Sequence, residues 1–204
     1  MLIAFAGLPS AGKSSTARAL GRILDIETFL EPEESDWPSL VRERETMGSF
    51  TTLTWFRSVR VPQLFTADAQ RTNGHSAIID SYYDVLIGRY LGKPPFEWLM
   101  AKDDPYFSAA SAMAEQDWKL LPKADVLVFL HLNEETWADF MKRRDRDFDR
   151  SAQLRTHFEM QELMLEAAKL AADEHNTKLL IIDQFSGSPE ETARNVTDRL
   201  ERLA

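Results

Sequence analysis

The opening stretch L2-I-A-F-A-G-L-P-S-A-G-K-S14 decides the fold. Leu2 to Ala6 is a short apolar run that ends at a glycine, the pattern of a strand buried on both faces. Lys13 to Leu24 then follows helical spacing, with Ala17, Leu20 and Leu24 on one stripe. Between them Gly7 to Ser14 satisfies GxxxxGK[ST] where that pattern has meaning, after a predicted strand and at the start of a predicted helix. Glycines let the backbone turn its N–H groups inward onto phosphate oxygens, and the helix N-terminus adds about half a positive charge. Lys13 is therefore expected to reach the β- and γ-phosphates of a nucleoside triphosphate, and Ser14 to ligate Mg²⁺. The nucleotide contacts expected from the loop are Gly7, Pro9, Ser10, Ala11, Gly12, Lys13, Ser14 and Ser15. A glycine-containing strand-to-helix turn with a solvent-facing lysine is the bland alternative.

Working outward, Ile26 to Leu30 reads as a second strand, stopped at Glu31-Pro32 because the proline disfavours helix before it. Residues 49 to 72 read as helix with a kink point at Pro62. Ala77 to Asp80 and Asp125 to Leu132 read as buried strands. Tyr83 to Leu121 is expected to form two helices separated by a loop around Lys102 to Pro105. Lys178 to Asp183 is the fifth strand, followed by Ser188 as cap and Pro189 as first residue of a helix to about Leu203. The alternation predicts an α/β fold of three layers, with a central five-stranded parallel sheet. One domain over residues 1–204 is expected, with a helical insertion at about 84–121.

Composition narrows the function. The 204 residues include no cysteine, so no disulfide or thiolate chemistry is available, and the four histidines are too scattered for a metal cluster. A net charge of −9 argues against a nucleic-acid polymer as partner, because counterion release needs a basic face. No apolar stretch approaches the ~20 residues of a membrane span, and the apolar N-terminus lacks the basic leader of a signal peptide. A cytoplasmic protein with a small-molecule partner is expected. The NKxD string of guanine-nucleotide binders is absent, which favours a small kinase.

Three further strings resemble the deoxynucleoside kinases and the neighbouring thymidylate kinases. FLEP at Phe29 to Pro32 with Trp37 is similar to a Glu-Pro element beside an aromatic residue. Asp80-Ser81-Tyr82 stands where those families carry Asp/Glu-Arg-Ser or Asp-Arg-Tyr, with the arginine missing. K142-R-R-D-R-D-F-D-R150 resembles an arginine-rich lid. The resemblance implies the P-loop kinase fold, ATP and Mg²⁺ as cofactors, Glu31 as general base toward a nucleoside 5′-hydroxyl, and Asp80 as a magnesium ligand. It also implies that a lid at about 142–150 closes over the triphosphate, with Arg144 and Arg146 as its catalytic cations.

Charge logic supports that lid independently, since five Lys/Arg residues within nine positions can neutralise transferring phosphate oxygens. The interleaved aspartates equally suit a self-paired helix surface. For the acceptor, Trp37, Phe56 and Tyr82 are the expected ring contacts, with Trp55 and Tyr83 nearby. Arg57, Arg60 and Arg89 are the candidates to replace the missing arginine. Ser186-Gly187-Ser188, after the fifth strand, resembles the loop that passes the adenine of ATP in such kinases, where an ordinary helix entry fits as well. Two other functions stay open: a nucleoside-monophosphate kinase in which Arg60 grips the acceptor phosphate, and an ATP-binding regulatory protein on a kinase scaffold. The long helices expected in 84–121 are compatible with a homodimer.

Overall fold

The computed structural model of the chain describes residues 1–144, 157–184 and 188–203. Five parallel strands, β1 (Leu2–Gly7), β2 (Glu27–Phe29), β3 (Ala77–Ile79), β4 (Val126–His131) and β5 (Lys178–Asp183), lie in the order β2-β3-β1-β4-β5. Every residue of β1 is buried, and so are the first five of β4. Full burial of each large aliphatic or aromatic side chain contributes roughly 1.5–3 kcal/mol, so this pair of strands is a major anchor of the core. β1 runs in register with β3 on one side (Ile3 beside Ile78) and β4 on the other (Phe5 beside Val128).

Helix α1 (Lys13–Leu24) packs on β1, β2 and β3 and against the last described helix, α9 (Pro189–Glu201). A second group contains α4 (Ser49–Thr72), α5 (Tyr83–Leu86), α6 (Phe107–Leu120) and α8 (Met160–His175), packed on β1, β3 and β4 and on one another. Short helices α2 (Ser39–Arg42) and α3 (Arg44–Met47) precede α4, and α7 (Glu134–Arg144) follows β4. The chain visits β2 and β3 on one side of β1 before crossing to β4 and β5 on the other. In such a sheet a crevice opens at the carboxyl end of the strand where the order reverses, which here is the end of β1.

Strand ends retreat by a residue or two from the expected limits, and the last helix stops at Glu201. α4 runs unbroken through Pro62. The expectation of two helices in 83–121 needs correction: its first half holds only α5 and the 3₁₀ turns Ile87–Arg89 and Pro94–Phe96. Gly92 has φ +70°, and a β-carbon there would lie 2.5 Å from the Phe107 ring. A continuous helix is excluded by that conformation and by the proline pair after it. Ser188 caps α9 as expected, in a reciprocal capping box with Glu191.

Candidate active site

The loop after β1 is built for close approach. Gly7 has φ +135° and a β-carbon on it would sit 2.7 Å from the Leu130 carbonyl oxygen of β4, so only hydrogen fits. Gly12 (φ +79°) and Ser10 (φ +63°) also occupy the left-handed region, which turns successive amides toward a common centre. Outside supports hold the loop: Trp137 Nε1 of α7 donates to the Pro9 carbonyl at 2.8 Å, and Arg144 Nη1 donates to Ser10 Oγ at 3.0 Å. Lys13 Nζ donates to the carbonyls of Gly7 (3.1 Å) and Leu8 (2.8 Å), curled back over its own loop.

A cleft of about 800 Å³ starts at this loop and is lined by Gly7, Pro9 to Ser15, Glu31, Trp37, Phe56, Arg60, Asp80 and Tyr83, with Arg143, Arg144 and Gln184 at the loop end. Asp80, 3% exposed, stands at the end of β3 and accepts a bond from the Ser14 hydroxyl and one from the Glu31 amide at 3.2 Å. Ser14 and Asp80 thus present hard oxygen donors beside the cradle, the kind of site that binds Mg²⁺ through one or two protein oxygens, phosphates and water. Among the described residues no group of three or more acidic or histidine side chains forms a self-sufficient metal site. Burial, then the charge of Glu31, pushes the Asp80 carboxyl from 3.8 up to about 6, against the Ser14 hydroxyl, the Glu31 amide and Lys13.

A carboxyl raised in the folded state binds its proton more tightly than in the unfolded chain. Stability therefore falls as pH climbs from about 4 to about 6, and stays lower above that. The displacement corresponds to a penalty on the order of 3 kcal/mol. Asp80→Asn is expected to raise the melting temperature of the ligand-free protein at pH 8 by roughly 5–10 °C, and to change it little at pH 4. Scanning calorimetry at the two pH values checks this, and equal shifts at both would refute it.

Glu31 follows β2 and borders the cleft beside Asp80, to which its amide donates. Burial works to push its carboxyl up, but Arg60 and Lys13, with hydrogen bonds from Arg60 and Ser81, outweigh it and hold Glu31 below the ordinary glutamate value. Arg60 Nη1 donates to Glu31 at 3.0 Å, while Nε and Nη2 grip Asp84 at 2.7 and 3.1 Å. Burial would lower the guanidinium pKa, yet Asp84 and Glu31 raise it, so Arg60 is a fixed cation matched by two carboxylates. Ser81, at the position of the missing arginine, bonds to Glu31.

The other expected residues divide. Trp37 and Phe56 line the cleft and meet edge to face, with centroids 5.1 Å apart. Trp55 packs on Phe56 and does not border the cleft. Tyr82 borders it with its ring, but its hydroxyl accepts from the Ala124 amide at 3.0 Å and donates toward the Pro122 carbonyl, so it offers no polar group there. Arg57 and Arg89 do not line the cleft. Arg57 forms a bidentate pair with Asp117 at 2.6 and 2.7 Å, and Arg89 bonds Glu115 and lies over the Trp118 ring. The Ser188 hydroxyl accepts from the Glu191 amide in the cap, while the cleft is bordered by its neighbours Gln184 and Pro189. Arg146, like the rest of the lid from Asp145 to Arg150, lies outside the described residues, as do Ser186 and Gly187.

Asp84, Trp137 and Gln184 were not anticipated. Asp84, four residues after Asp80 in an apolar run, carried a visible signal as an acid that needs a partner. Nothing local marks Gln184, which reaches the cradle only because β5 ends beside Gly12.

No family sequence model matches the chain, and no curated protein matches it in sequence. Solved structures do. Deoxyadenosine kinase from M. mycoides with bound dATP is similar with a TM-score of 0.71 at 17% identity, covering 98% of this chain and 100% of that one. The same enzyme with dCMP and dCDP gives 0.66 at 15%, covering 100% of both chains. Thymidylate kinase from Ehrlichia chaffeensis gives 0.55 at 14%, covering 98% of both. The chain has the fold of the deoxynucleoside and thymidylate kinases. Within this kinase fold the cradle, Asp80 and Glu31 meet at the carboxyl ends of β1, β3 and β2. Among the described residues no helix is long and apolar enough to cross a membrane.

Proposed function

We propose that this chain transfers the γ-phosphoryl group of ATP to the 5′-hydroxyl of a nucleoside. The observation that carries the reading is Glu31, kept ionised between Arg60 and Lys13 at the mouth of the phosphate loop. A carboxylate in that state accepts the hydroxyl proton as the acceptor oxygen bonds to phosphorus and the bond from phosphorus to the β-bridging oxygen breaks, releasing ADP. The amides of Gly7 to Ser14 and the ammonium of Lys13 stabilise charge on the transferring group, with Arg144 poised above Ser10 and Arg146 following it in sequence. Ser14 and Asp80 are the residues that would hold Mg²⁺, which would supply positive charge against the phosphate oxygens. Trp37 and Phe56 wall the acceptor side.

Arg60 supports a neutral acceptor over a monophosphate. Its guanidinium is spent on Asp84 and Glu31, and an incoming phosphate would have to displace a carboxylate and meet the remaining ones. Transfer of label from γ-labelled ATP to thymidine and deoxyadenosine, set beside their monophosphates, tests this. Nucleosides are expected to be used at least about 100-fold better in kcat/KM, equivalent to roughly 2.7 kcal/mol. Use of the monophosphates alone, or of no acceptor, would overturn the proposal.

A further inference from the structure

Helix α7 holds the phosphate loop at two points, from side chains two turns apart. Trp137 Nε1 donates to the Pro9 carbonyl at 2.8 Å and Arg144 Nη1 to Ser10 Oγ at 3.0 Å, so both grip the step from Pro9 to Ser10. The start of α7 is itself fixed. Gln161 of α8, a buried side chain, donates to the Leu132 carbonyl at 2.8 Å and accepts from the Leu132 amide at 2.9 Å, and Asn133 Oδ1 accepts from the Thr136 amide at 2.8 Å. Trp137 is 1% exposed, with its ring 5.7 Å from that of Phe158. A chain of buried contacts therefore runs from α8 through Leu132 and α7 to the loop, and the indole cannot swing away without opening the core.

What the indole holds is an orientation. Across a planar trans peptide the Pro9 carbonyl and the Ser10 N–H point opposite ways, so a carbonyl pinned on Trp137 turns that N–H away from the indole, where it meets no backbone acceptor among the described residues. Ser10 sits at φ +63°, a region that a residue with a side chain enters at a cost. An indole N–H only donates. Were the peptide to flip, the buried Nε1 would face another N–H and lose its partner, a penalty that a hydroxyl or a water in its place would not impose. We propose that Trp137 is a positioning residue for the triphosphate: without bordering the cleft itself, it sets the Ser10 N–H to donate to a phosphate oxygen. The inference rests on the triphosphate-binding part of the reading above.

Calorimetric titration of the full chain with MgATP, beside steady-state kinetics, tests this. Trp137→Phe keeps a ring against Phe158 and Trp137→Met fills the space flexibly, and neither carries a donor. Both are expected to raise the Kd for MgATP by about tenfold, while kcat at saturating ATP stays within about threefold of the unaltered chain. Should one of them fail to fold, the other carries the comparison. Ser10→Gly removes the cost of the left-handed backbone, and in that background Trp137→Phe should raise the Kd by about threefold or less. An unchanged Kd in a folded variant, a Kd that differs by more than about threefold between the Phe and Met replacements, or the full loss in the Ser10→Gly background would each overturn the inference. If the unaltered chain takes up no MgATP, the phosphate-loop reading fails and takes this inference with it. If it takes up MgATP and phosphorylates no nucleoside, the nucleoside reading falls alone and the Kd comparison still decides the role of Trp137.

Discussion

Glu31→Gln is expected to lower kcat for nucleoside phosphorylation by about 10²–10⁴-fold, the range for losing a positioned general base, with the Kd for MgATP changed by less than threefold. The substitution is close to isosteric and the new amide oxygen can still accept from Arg60 Nη1, now 3.0 Å from the carboxylate. What disappears is the charge, and with it the ability to take a proton from the acceptor. Arg60 keeps its bidentate pair with Asp84, so the fold does not inherit an unmatched buried cation and the melting temperature should move little. Single-turnover measurement with saturating ATP isolates the chemical step. An unchanged rate in that experiment would remove Glu31 from the mechanism.

Lys13→Ala is expected to lower kcat/KM for ATP by about 10²–10³-fold or more and to abolish calorimetric uptake of MgATP. The ammonium now rests on the carbonyls of Gly7 and Leu8, within reach of whatever the amides of the loop enclose. Gly7 borders the open cleft and the Leu8 carbonyl still accepts from the Ala11 amide at 3.1 Å, so losing the lysine should cost the fold little. Lys13→Arg should not restore activity, because a planar fork cannot replace a compact ammonium in a cradle this narrow. Retained triphosphate binding in Lys13→Ala would mean that the loop does not grip a polyphosphate.

The parts of this architecture that were legible beforehand are those in which a few neighbouring residues settle the geometry. Gly7, Gly12 and Lys13 announce the turn, β1 and β4 announce themselves by unbroken apolar runs, and Ser188 with Glu191 announces a helix start. Arginine assignment was not legible in this way. Resemblance sets Arg60 apart from Arg57 and Arg89, yet only the fold shows that Arg57 is taken by Asp117, sixty residues on, and Arg89 by Glu115, while Arg60 faces Glu31. Adjacent tyrosines posed the same difficulty: Tyr82 spends its hydroxyl against Ala124, and its neighbour Tyr83 turns toward Arg60. Trp137 ties α7 to the cradle through the Pro9 carbonyl, a contact across the fold that nothing near the basic string at 142–150 announces.

Asp80 is a carboxyl held almost out of reach of solvent beside Ser14. One outcome of that placement concerns how long a molecule survives when idle. With the proposed Mg²⁺ role of Ser14 and Asp80, a divalent cation offsets the burden of that carboxylate, and occupancy and resistance to unfolding are expected to rise together. Proteolysis of opened chains is then expected to slow as the triphosphate supply rises.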